Sequence, residues 1–479
     1  MKKLLFLGIL SVLVFYNANN IHASELVSHT TSVSTVVAAE EGAAEAQHQL
    51  PDTIMVLPFI VLLLMIATGP LFYHHFWEHH YPKVSILLGL VTVLYYIFHL
   101  NDTHSLIHTS AEYISFIALL GSLFVASGSI YIKVDKKATP WLNVVLLFFG
   151  AILSNIIGTT GASMLLIRPF LKVNRNRIRA YQVIFFIFLI SNIGGALTPI
   201  GDPPLFIGFL KGIDFFWFVE HIWYIWLPTV VFLLMIFYFI DSRNKDDANI
   251  PDDYSGKIEV KGSKNIIYLL IILLSVFLDP NVLSWVPSFE PVPIGIREII
   301  MFGVMYFAYK NADDEVLKAN EFDFEPIKEV AYLFVGIFAT MIPALQLIAH
   351  EAHVMGNSLD AGIFFWSTGI LSGFLDNTPT FINFLSAAMG KFGFDITQSA
   401  NVLTIDHHHA MYLQAISTGA VFFGALSYIG NGPNFMVKSI TERAGVKMPS
   451  FFAYMIKYSL PILIPTFLLI WLIVYMGAG

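Results

Sequence analysis

The chain contains no cysteine, and only 13% of its 479 residues are charged, about half the share that is usual in soluble proteins. The lack of cysteine excludes disulfide frameworks, thiolate metal sites and cysteine nucleophiles. The shortage of charge, beside a hydrophobic fraction of 56%, excludes a soluble globular enzyme. A basic surface is also missing, because the net charge is −8 and the cations are scattered, so nucleic acid is not an expected partner.

Long uncharged runs are what the chain has instead. Several reach roughly 17 to 20 residues, enough at about 1.5 Å per residue to cross the roughly 30 Å of bilayer hydrocarbon. The first three are Ile54–Tyr73, Val84–Leu100 and Ile114–Ile132. The sequence therefore predicts an all-α polytopic membrane protein whose first partner is the lipid bilayer.

The N-terminus has the layout of a secretory signal peptide over residues 1–23, with two lysines, an apolar stretch and a polar end. Ile21 stands where a small residue is preferred, so a retained anchor is the alternative. Residues 24–53 are polar and without apolar periodicity, which predicts a disordered exported tail. These features place the protein in the inner membrane, with the mature N-terminus outside.

The segment between Lys137 and Lys172 is mostly apolar, and both of its flanks are positively charged. Positive flanks favour the cytoplasmic side, so the segment enters and leaves the membrane by one face. Its polar middle, Ser154–Gly161, splits it into two arms of about 15 residues or fewer, each too short to span. We therefore expect a re-entrant helical hairpin with its polar tip at membrane depth.

The next apolar helix, which starts after Ile178, meets the motif T-P-I-G-D-P-P at residues 198–204. A continuous helix cannot pass through glycine and three prolines, because proline lacks the amide hydrogen and clashes with the preceding turn. This pattern predicts a discontinuous transmembrane helix, with two half-helices joined by unwound backbone.

The second half repeats this plan, with a hairpin at Ala361–Ala388 and a broken helix at Ala410–Val437. The motif L-T-P-I-G-D-P-P-L-F at 197–206 aligns with L-S-Y-I-G-N-G-P-N-F at 426–435, at an offset of 229. Counting crossings puts the two hairpins on opposite faces, so we expect two inverted-topology repeats. They comprise residues 54–240 and 265–479, with a cytoplasmic linker at 241–264.

Inverted repeats of this kind place the transported solute at the membrane midplane, between the broken helices. The breaks supply oxygens for a small cation such as sodium, and half-helix N-termini that suit a carboxylate. No resident cofactor or metal is expected. The predicted ion- or substrate-binding residues are Ser154, Asn155, Thr159, Thr160, Thr198, Gly201, Asp202, Asp376, Asn377, Thr378, Ser427, Gly430 and Asn431.

Asp202 and Asp376 are the acidic residues that fall within the breaks. A carboxylate at this depth is costly and therefore a functional candidate, and a proton and a cation would compete for it. We assign proton coupling to both. The structural alternative is that Asp202 only caps the half-helix that begins at Pro203, and that the asparagines satisfy loop backbone.

Two histidine clusters, at residues 74–80 and 406–409, lie at the ends of predicted spans. Their spacing is compatible with a divalent metal site or a pH sensor, but interfacial placement is the plainer interpretation. An intramembrane metalloprotease would need histidine pairs within a span, so an enzyme is not predicted.

The motif S-N-I-G-G-A-L-T-P-I-G-D-P-P at 191–204 resembles the signature of the ion transporter superfamily. This superfamily includes NhaD-type sodium/proton antiporters, arsenite efflux pumps, and citrate and dicarboxylate carriers. Asp376-Asn377-Thr378-Pro379 is similar to the second hairpin tip of the NhaD-type group. The resemblance covers roughly residues 54 to 479, and it implies a homodimer of inverted halves with a separate scaffold part. Ser154 and Pro203-Pro204 depart from the NhaD-type pattern and look more like the citrate and arsenite members.

The electrostatic cost of placing a carboxylate beside an ionised aspartate separates the candidate substrates. A citrate carboxylate about 5 Å from an ionised aspartate costs roughly 3 kcal/mol at an effective dielectric constant of about 20, unless cations offset it. The sequence therefore favours a secondary sodium/proton antiporter that works by alternating access. Cation-coupled transport of citrate or a dicarboxylate is the alternative.

Overall fold

A computed structural model describes residues 50–244, 256–279, 283, 285–287, 295–355, 359–396 and 399–476. The predicted signal peptide, 1–23, and nearly all of the predicted tail, 24–53, lie outside these residues. Within them the chain is helical apart from loops and two short strands, which confirms the all-α membrane fold. Eight helical segments in this part of the chain are long and apolar enough to cross a membrane.

Seven helices precede the predicted linker. They are α1 Leu57–Phe72, α2 His74–Tyr95, α3 Thr103–Gly128, α4 Pro140–Val173, α5 Ala180–Leu189, α6 Pro203–Leu210 and α7 Trp217–Asp241. Eleven more are described after it. They are α8 Asn265–Ser275, α9 Ile296–Lys310, α10 Asp314–Ala319, α11 Glu325–Met355, α12 Ala361–Ser372, α13 Asn377–Lys391, α14 Ser399–His408, α15 Ala410–Phe423, α16 Gly432–Arg443, α17 Phe451–Tyr454 and α18 Leu460–Ile470.

The third predicted span is wrong at both ends. Helix α3 begins at Thr103, because Asp102 caps it by accepting a hydrogen bond from the backbone N–H of Ser105 at 3.0 Å. It ends at Gly128, and Tyr131–Val134 then forms strand β1. This strand pairs antiparallel with β2, Ile258–Lys261, which lies inside the predicted linker. The described end of the linker is therefore tied to the membrane domain by a two-stranded sheet.

Helix α4 folds back on itself. Its 34 residues would span about 50 Å if straight, yet its ends meet. The N–H of Ala138 donates to the carbonyl of Val173 at 3.2 Å, just outside the N-terminal end of α4. The turn lies at Gly158, whose φ of +78° and ψ of 154° suit glycine, because a Cβ would clash there. Gly158 thus separates a first arm from a second arm, 159–173.

A buried polar network pins the base of this hairpin. Asp241, at the end of α7, is fully buried and accepts hydrogen bonds from Tyr181, Gln182 and Asn143 at 2.6, 2.9 and 3.0 Å. Arg177 forms an ion pair with it at 3.3 Å. The side chains that contact Asp241 come from α4, from the turn after it and from α5. The network therefore fixes α4 relative to α5 and α7.

The long helices α2, α3 and α11 surround the hairpins and the breaks. Helix α11 packs against α2 and α13, and α3 packs against α4 and α9. Buried phenylalanines fill the space between them, and Phe116 of α3 stacks on Phe334 of α11 with ring centroids 4.7 Å apart. This packing holds the second hairpin, α12 and α13, next to the discontinuous helix that contains Asp202. The opposite orientation of the two halves stays a prediction.

Candidate functional site

The two discontinuous helices unwind in the same way. Each ends in a 3-10 turn, then has one extended residue with a hydroxyl, and restarts at or next to a proline. Thr198 accepts a hydrogen bond from the N–H of Gly201, and Ser427 accepts one from Gly430, both at 3.1 Å. The Ser427 hydroxyl thus replaces a helical carbonyl as the acceptor, whereas the N–H of Gly201 donates to the carbonyl of Thr198 at 2.9 Å as well as to its hydroxyl. Both arrangements stabilise the unwound backbone.

Glycine is required at two of these positions because the backbone approaches itself. A Cβ at Gly201 would overlap the carbonyl oxygen of Gly195, and a Cβ at Gly430 would overlap that of Gly424. A Cβ at Gly432, by contrast, would meet nothing within 4 Å. The two glycines of each pair are equally far apart in the sequence, so both breaks contain the same tight loop.

Asp202 lies at the centre of the site. It is fully buried, and its Oδ1 accepts hydrogen bonds from Thr159 Oγ1 at 2.8 Å and from Asn431 Nδ2 at 3.0 Å. Its Oδ2 accepts one from Asn377 Nδ2 at 2.8 Å. The three donors come from the tip of the first hairpin, the second break and the tip of the second hairpin. One carboxylate therefore joins all four interrupted segments.

The capping interpretation of Asp202 is not supported by the geometry. Asp202 precedes α6, but its side chain forms no capping hydrogen bond with that helix. Both of its oxygens are instead occupied by side chains distant in the sequence. No lysine, arginine or histidine in the described part of the chain pairs with it. Its charge is balanced by amide and hydroxyl dipoles alone.

Ser154, Asn155 and Thr198 were also predicted to bind the solute, but their hydrogen bonds stabilise the backbone of the first break. Asn155 donates to the carbonyl of Gly194 at 2.6 Å and accepts from the N–H of Leu197 at 2.8 Å. Thr198 donates to the carbonyl of Asn155 at 2.6 Å, and Ser154 donates to that of Ile190 at 2.8 Å. These bonds satisfy backbone groups that the unwinding leaves open.

A small cavity of 20 Å³ adjoins the first break. Thr159, Thr160 and Gly201 line it, and Leu123 of α3 closes it from the other side. A water molecule or a bare ion fits this volume, since a water needs roughly 10–15 Å³ by this kind of measure. Citrate does not fit.

The second hairpin tip places its two polar residues differently. Asn377 bonds Asp202, as described, and its Oδ1 accepts from Ser372 Oγ at 2.6 Å. Asp376 instead caps α13, because its Oδ1 accepts from the N–H of Thr378 at 3.0 Å. The buried Thr378 Oγ1 has no hydrogen-bond partner in the described structure.

The sequence analysis missed two asparagines of the site, Asn192 and Asn434. Asn192 Nδ2 donates to Asn434 Oδ1 at 2.7 Å, and Asn434 Nδ2 donates to the carbonyls of Gly424 and Ser427, both at 2.9 Å. The buried Asn192 Oδ1 has no hydrogen-bond partner among the described residues. An amide within an apolar run at membrane depth is the signal that marks such residues.

The histidine clusters form no evident metal site. Within the described ranges, no group of three or more histidine, aspartate or glutamate side chains lies close enough to hold a metal ion. His74 lies 3.1 Å from Glu78, and both side chains are more than half exposed. The side chains of Asp406 and His407 lie outside the described residues.

Comparison with known families identifies the chain as a whole. Residues 47–475 match the model of the CitMHS_2 family, described as "Putative citrate transport". No curated protein matches the chain. Because the match covers well over half of the chain, the protein belongs to this family. The family and the eight apolar helices together make it a multi-pass membrane transporter rather than an enzyme.

Proposed function

We propose that this member of a citrate transport family is a cation-coupled secondary transporter of citrate or a related carboxylate. The observation that carries the proposal is Asp202, a fully buried carboxylate bonded to both hairpin tips and to the second break. A carboxylate in such a place is stable only with strong compensation, and no basic side chain among the described residues supplies it. A transported cation or proton is the partner that fits.

Several oxygens near Asp202 suit a small cation. A Cβ at Gly424 would lie 2.5 Å from Asn377 Oδ1 and 2.8 Å from both Asn192 Oδ1 and Asn377 Nδ2, so the two amides lie close together beside Gly424. Asn192 Oδ1 has no hydrogen-bond donor among the described residues. Amide and carboxylate oxygens are ligands that hard cations prefer. We therefore propose that sodium or a proton binds at Asp202 and that the neighbouring amides complete the site.

The anion would bind beside the cation, at the half-helix N-termini. Helices α6, α13 and α16 all begin next to the Asp202 cluster, at residues 203, 377 and 432. Helices α13 and α16 begin with the N–H groups of Asn377 and Gly432 at the positive end of the helix dipole. Helix α6 begins with two prolines, which have no N–H, so it contributes only the positive end of its dipole. Because an ionised Asp202 would repel a carboxylate by roughly 3 kcal/mol at about 5 Å, the cation must bind first. This order couples the two fluxes.

Sodium/proton antiport is the second candidate. The 20 Å³ cavity beside Thr159 and Gly201 accepts an ion and not citrate, and Asp202 would exchange a proton for sodium there. The sequence analysis also proposes proton coupling through Asp376. In both candidates we propose alternating access between the inverted halves, a homodimer, and the inner membrane with the N-terminus outside.

Flux measurements in proteoliposomes separate the two candidates. An inward sodium or proton gradient should drive accumulation of radiolabelled citrate, and no accumulation should occur without the gradient. Sodium, lithium and arsenite are assayed in parallel. If sodium dissipates an imposed proton gradient while citrate is neither transported nor needed, antiport replaces the carboxylate proposal.

A further inference from the structure

A second polar cavity lies away from Asp202, at the base of the first hairpin. Its volume is 410 Å³, within the range of small-ligand sites. Four of its lining residues are cations: Arg168, Lys172 and Arg175 from α4 and the following turn, and Arg443 from the end of α16. The single acidic residue of the lining is Glu321, so the wall is strongly positive.

The cations of this cavity are only partly neutralised. Glu321 Oε2 lies 3.7 Å from Arg168 and 3.6 Å from Arg443, so one carboxylate is shared between two guanidinium groups. The side chain of Arg168 is 15% exposed, and its second terminal nitrogen is buried without a hydrogen-bond partner in the described structure. Lys172 forms no ion pair with any described residue. Arg175 is paired with Asp135 at 3.3 Å.

Glu321 is positioned by an unfavourable backbone. Its φ is +46°, a left-handed conformation that a side chain rarely adopts. It follows α10, in the connection to α11, and Phe322 beside it packs on Phe124 at a centroid distance of 5.4 Å. The connection thus holds a carboxylate at the mouth of the cavity, between two arginines on different elements.

The cavity and Asp202 are joined by two helices. The second arm of α4 starts at Thr159, which bonds Asp202, and reaches Arg168 about 14 Å further along. Helix α16 starts after Asn431, which also bonds Asp202, and reaches Arg443 after about 18 Å. These two elements pack against each other along this length. The cavity therefore opens at one end of the seam whose other end is the Asp202 cluster.

We propose that this cavity is a second binding site for a small di- or tricarboxylate, at one end of the path of the transported anion, and that Glu321 occupies it as an internal carboxylate until the anion displaces it. The proposal rests on the proposed function for the identity of the anion. Guanidinium groups bind carboxylates through paired, charge-assisted hydrogen bonds, which a bridging Glu321 at 3.6–3.7 Å only partly satisfies. The basic flanks of the hairpin predict that this end of the path faces the cytoplasm, where an imported anion leaves the protein.

The test is binding of radiolabelled citrate to the purified full-length protein at low salt. Arg443→Gln should weaken binding about tenfold, because one cation of the cavity is lost, and Glu321→Gln should tighten it about threefold, because the competing carboxylate is gone. The matched control is Lys438→Gln, which lies on the same helix but pairs with Glu442 outside the cavity. It should change binding less than twofold.

Two further sets of measurements make the result unambiguous. Each variant is also measured in the Asp202→Asn background, where binding at the cavity should persist even if transport is lost. Nanodiscs of phosphatidylcholine and of phosphatidylglycerol test an anionic lipid headgroup as the occupant, and citrate affinity should agree within twofold between them. Citrate binding that ignores Arg443 and Glu321, or that phosphatidylglycerol abolishes, overturns the inference. Its failure with intact transport leaves the proposed function standing, and the reverse outcome leaves the cavity site standing.

Discussion

The two unwound breaks have nearly the same backbone and opposite chemistry. The residue before each restarted helix is extended, with φ and ψ of −137° and 141° at Asp202 and of −151° and 141° at Asn431. Asp202 accepts three side-chain hydrogen bonds, whereas Asn431 donates, to Asp202 and to the carbonyl of Ser191, both at 3.0 Å. Both breaks contain the same glycine loop, but only the first break carries a carboxylate.

This difference separates the residues that stabilise unwound backbone from the carboxylate, which the backbone does not need. Glycine, proline and hydroxyl residues recur in both breaks because unwound backbone needs them wherever it occurs in lipid. A carboxylate is not needed for that purpose, since Asn431 manages without one. On the proposed function, the cation therefore binds at Asp202, and the second break holds that carboxylate in place.

The largest effect is expected from Asp202→Asn, which makes the two breaks chemically alike. The amide keeps the size of the side chain but removes the charge that binds the cation, so coupled uptake should fall at least about 100-fold. Uptake in proteoliposomes measures this, with thermal stability as the control for folding. Gradient-driven uptake near the wild-type rate would remove Asp202 from the mechanism.

Exchange of the two residues, Asp202→Asn with Asn431→Asp, sharpens the comparison. The carboxylate then lies about one hydrogen bond from its original place, but next to the carbonyl of Ser191, to which Asn431 Nδ2 donates in the wild type. We expect recovery to only about one tenth of wild-type uptake, since the charge stays buried while the donors Thr159 and Asn377 remain at position 202. A double variant as inactive as Asp202→Asn would mean that the position of the charge matters more than its presence.

Alanine at Gly201 and at Gly430 should destabilise the protein equally. Each Cβ would overlap a carbonyl oxygen, and overpacking of this kind costs typically 1–3 kcal/mol. Thermal unfolding midpoints in detergent measure the loss. Gly432→Ala is the matched control in the same loop, because its Cβ meets nothing, and unequal losses at the two tight glycines would show that the breaks are not equivalent.

Removal of the hydroxyls of Thr198 and Ser427 also tests whether the two breaks are equivalent, with a smaller expected loss of stability. Ser427→Ala deletes the acceptor of the Gly430 N–H. Thr198→Val leaves the Gly201 N–H with the carbonyl of Thr198 but deletes the donor to the carbonyl of Asn155, so each change should cost about 1 kcal/mol of stability. Unfolding midpoints should shift by similar amounts. A large loss at Thr198 alone would point to its second bond, to Asn155.

The smallest effect is expected from Asp376→Asn. Asparagine caps a helix about as well as aspartate, so the bond to the N–H of Thr378 can be replaced. Citrate uptake should stay within about threefold of wild type. A loss as large as that of Asp202→Asn would support proton coupling through both carboxylates, as the sequence analysis proposes.

The amino-acid sequence was sufficient for the helical membrane fold and for the sites of interruption. Glycine and proline at 199–204 and 430–433 forbid a regular helix locally, so their effect does not depend on the rest of the chain. The extent of α3 was not predictable from hydropathy alone, since a polar cap at Asp102 extends it beyond the apolar run. The strand Ile258–Lys261 was missed because its partner lies far away in the sequence.

Local chemistry thus determined where the backbone breaks, but only the tertiary structure decided which atoms meet there. The bond from Asn377 to Asp202 joins residues 175 positions apart that no motif pairs. The internal repeat does align Asn431 with Asp202 at an offset of 229, but an alignment does not specify that the two side chains meet. The same holds for Asp376, which the sequence ranks beside Asp202 and the structure turns toward its own helix. The physical reason is that a carboxylate buried in lipid is defined by its donors, and packing alone brings those donors together.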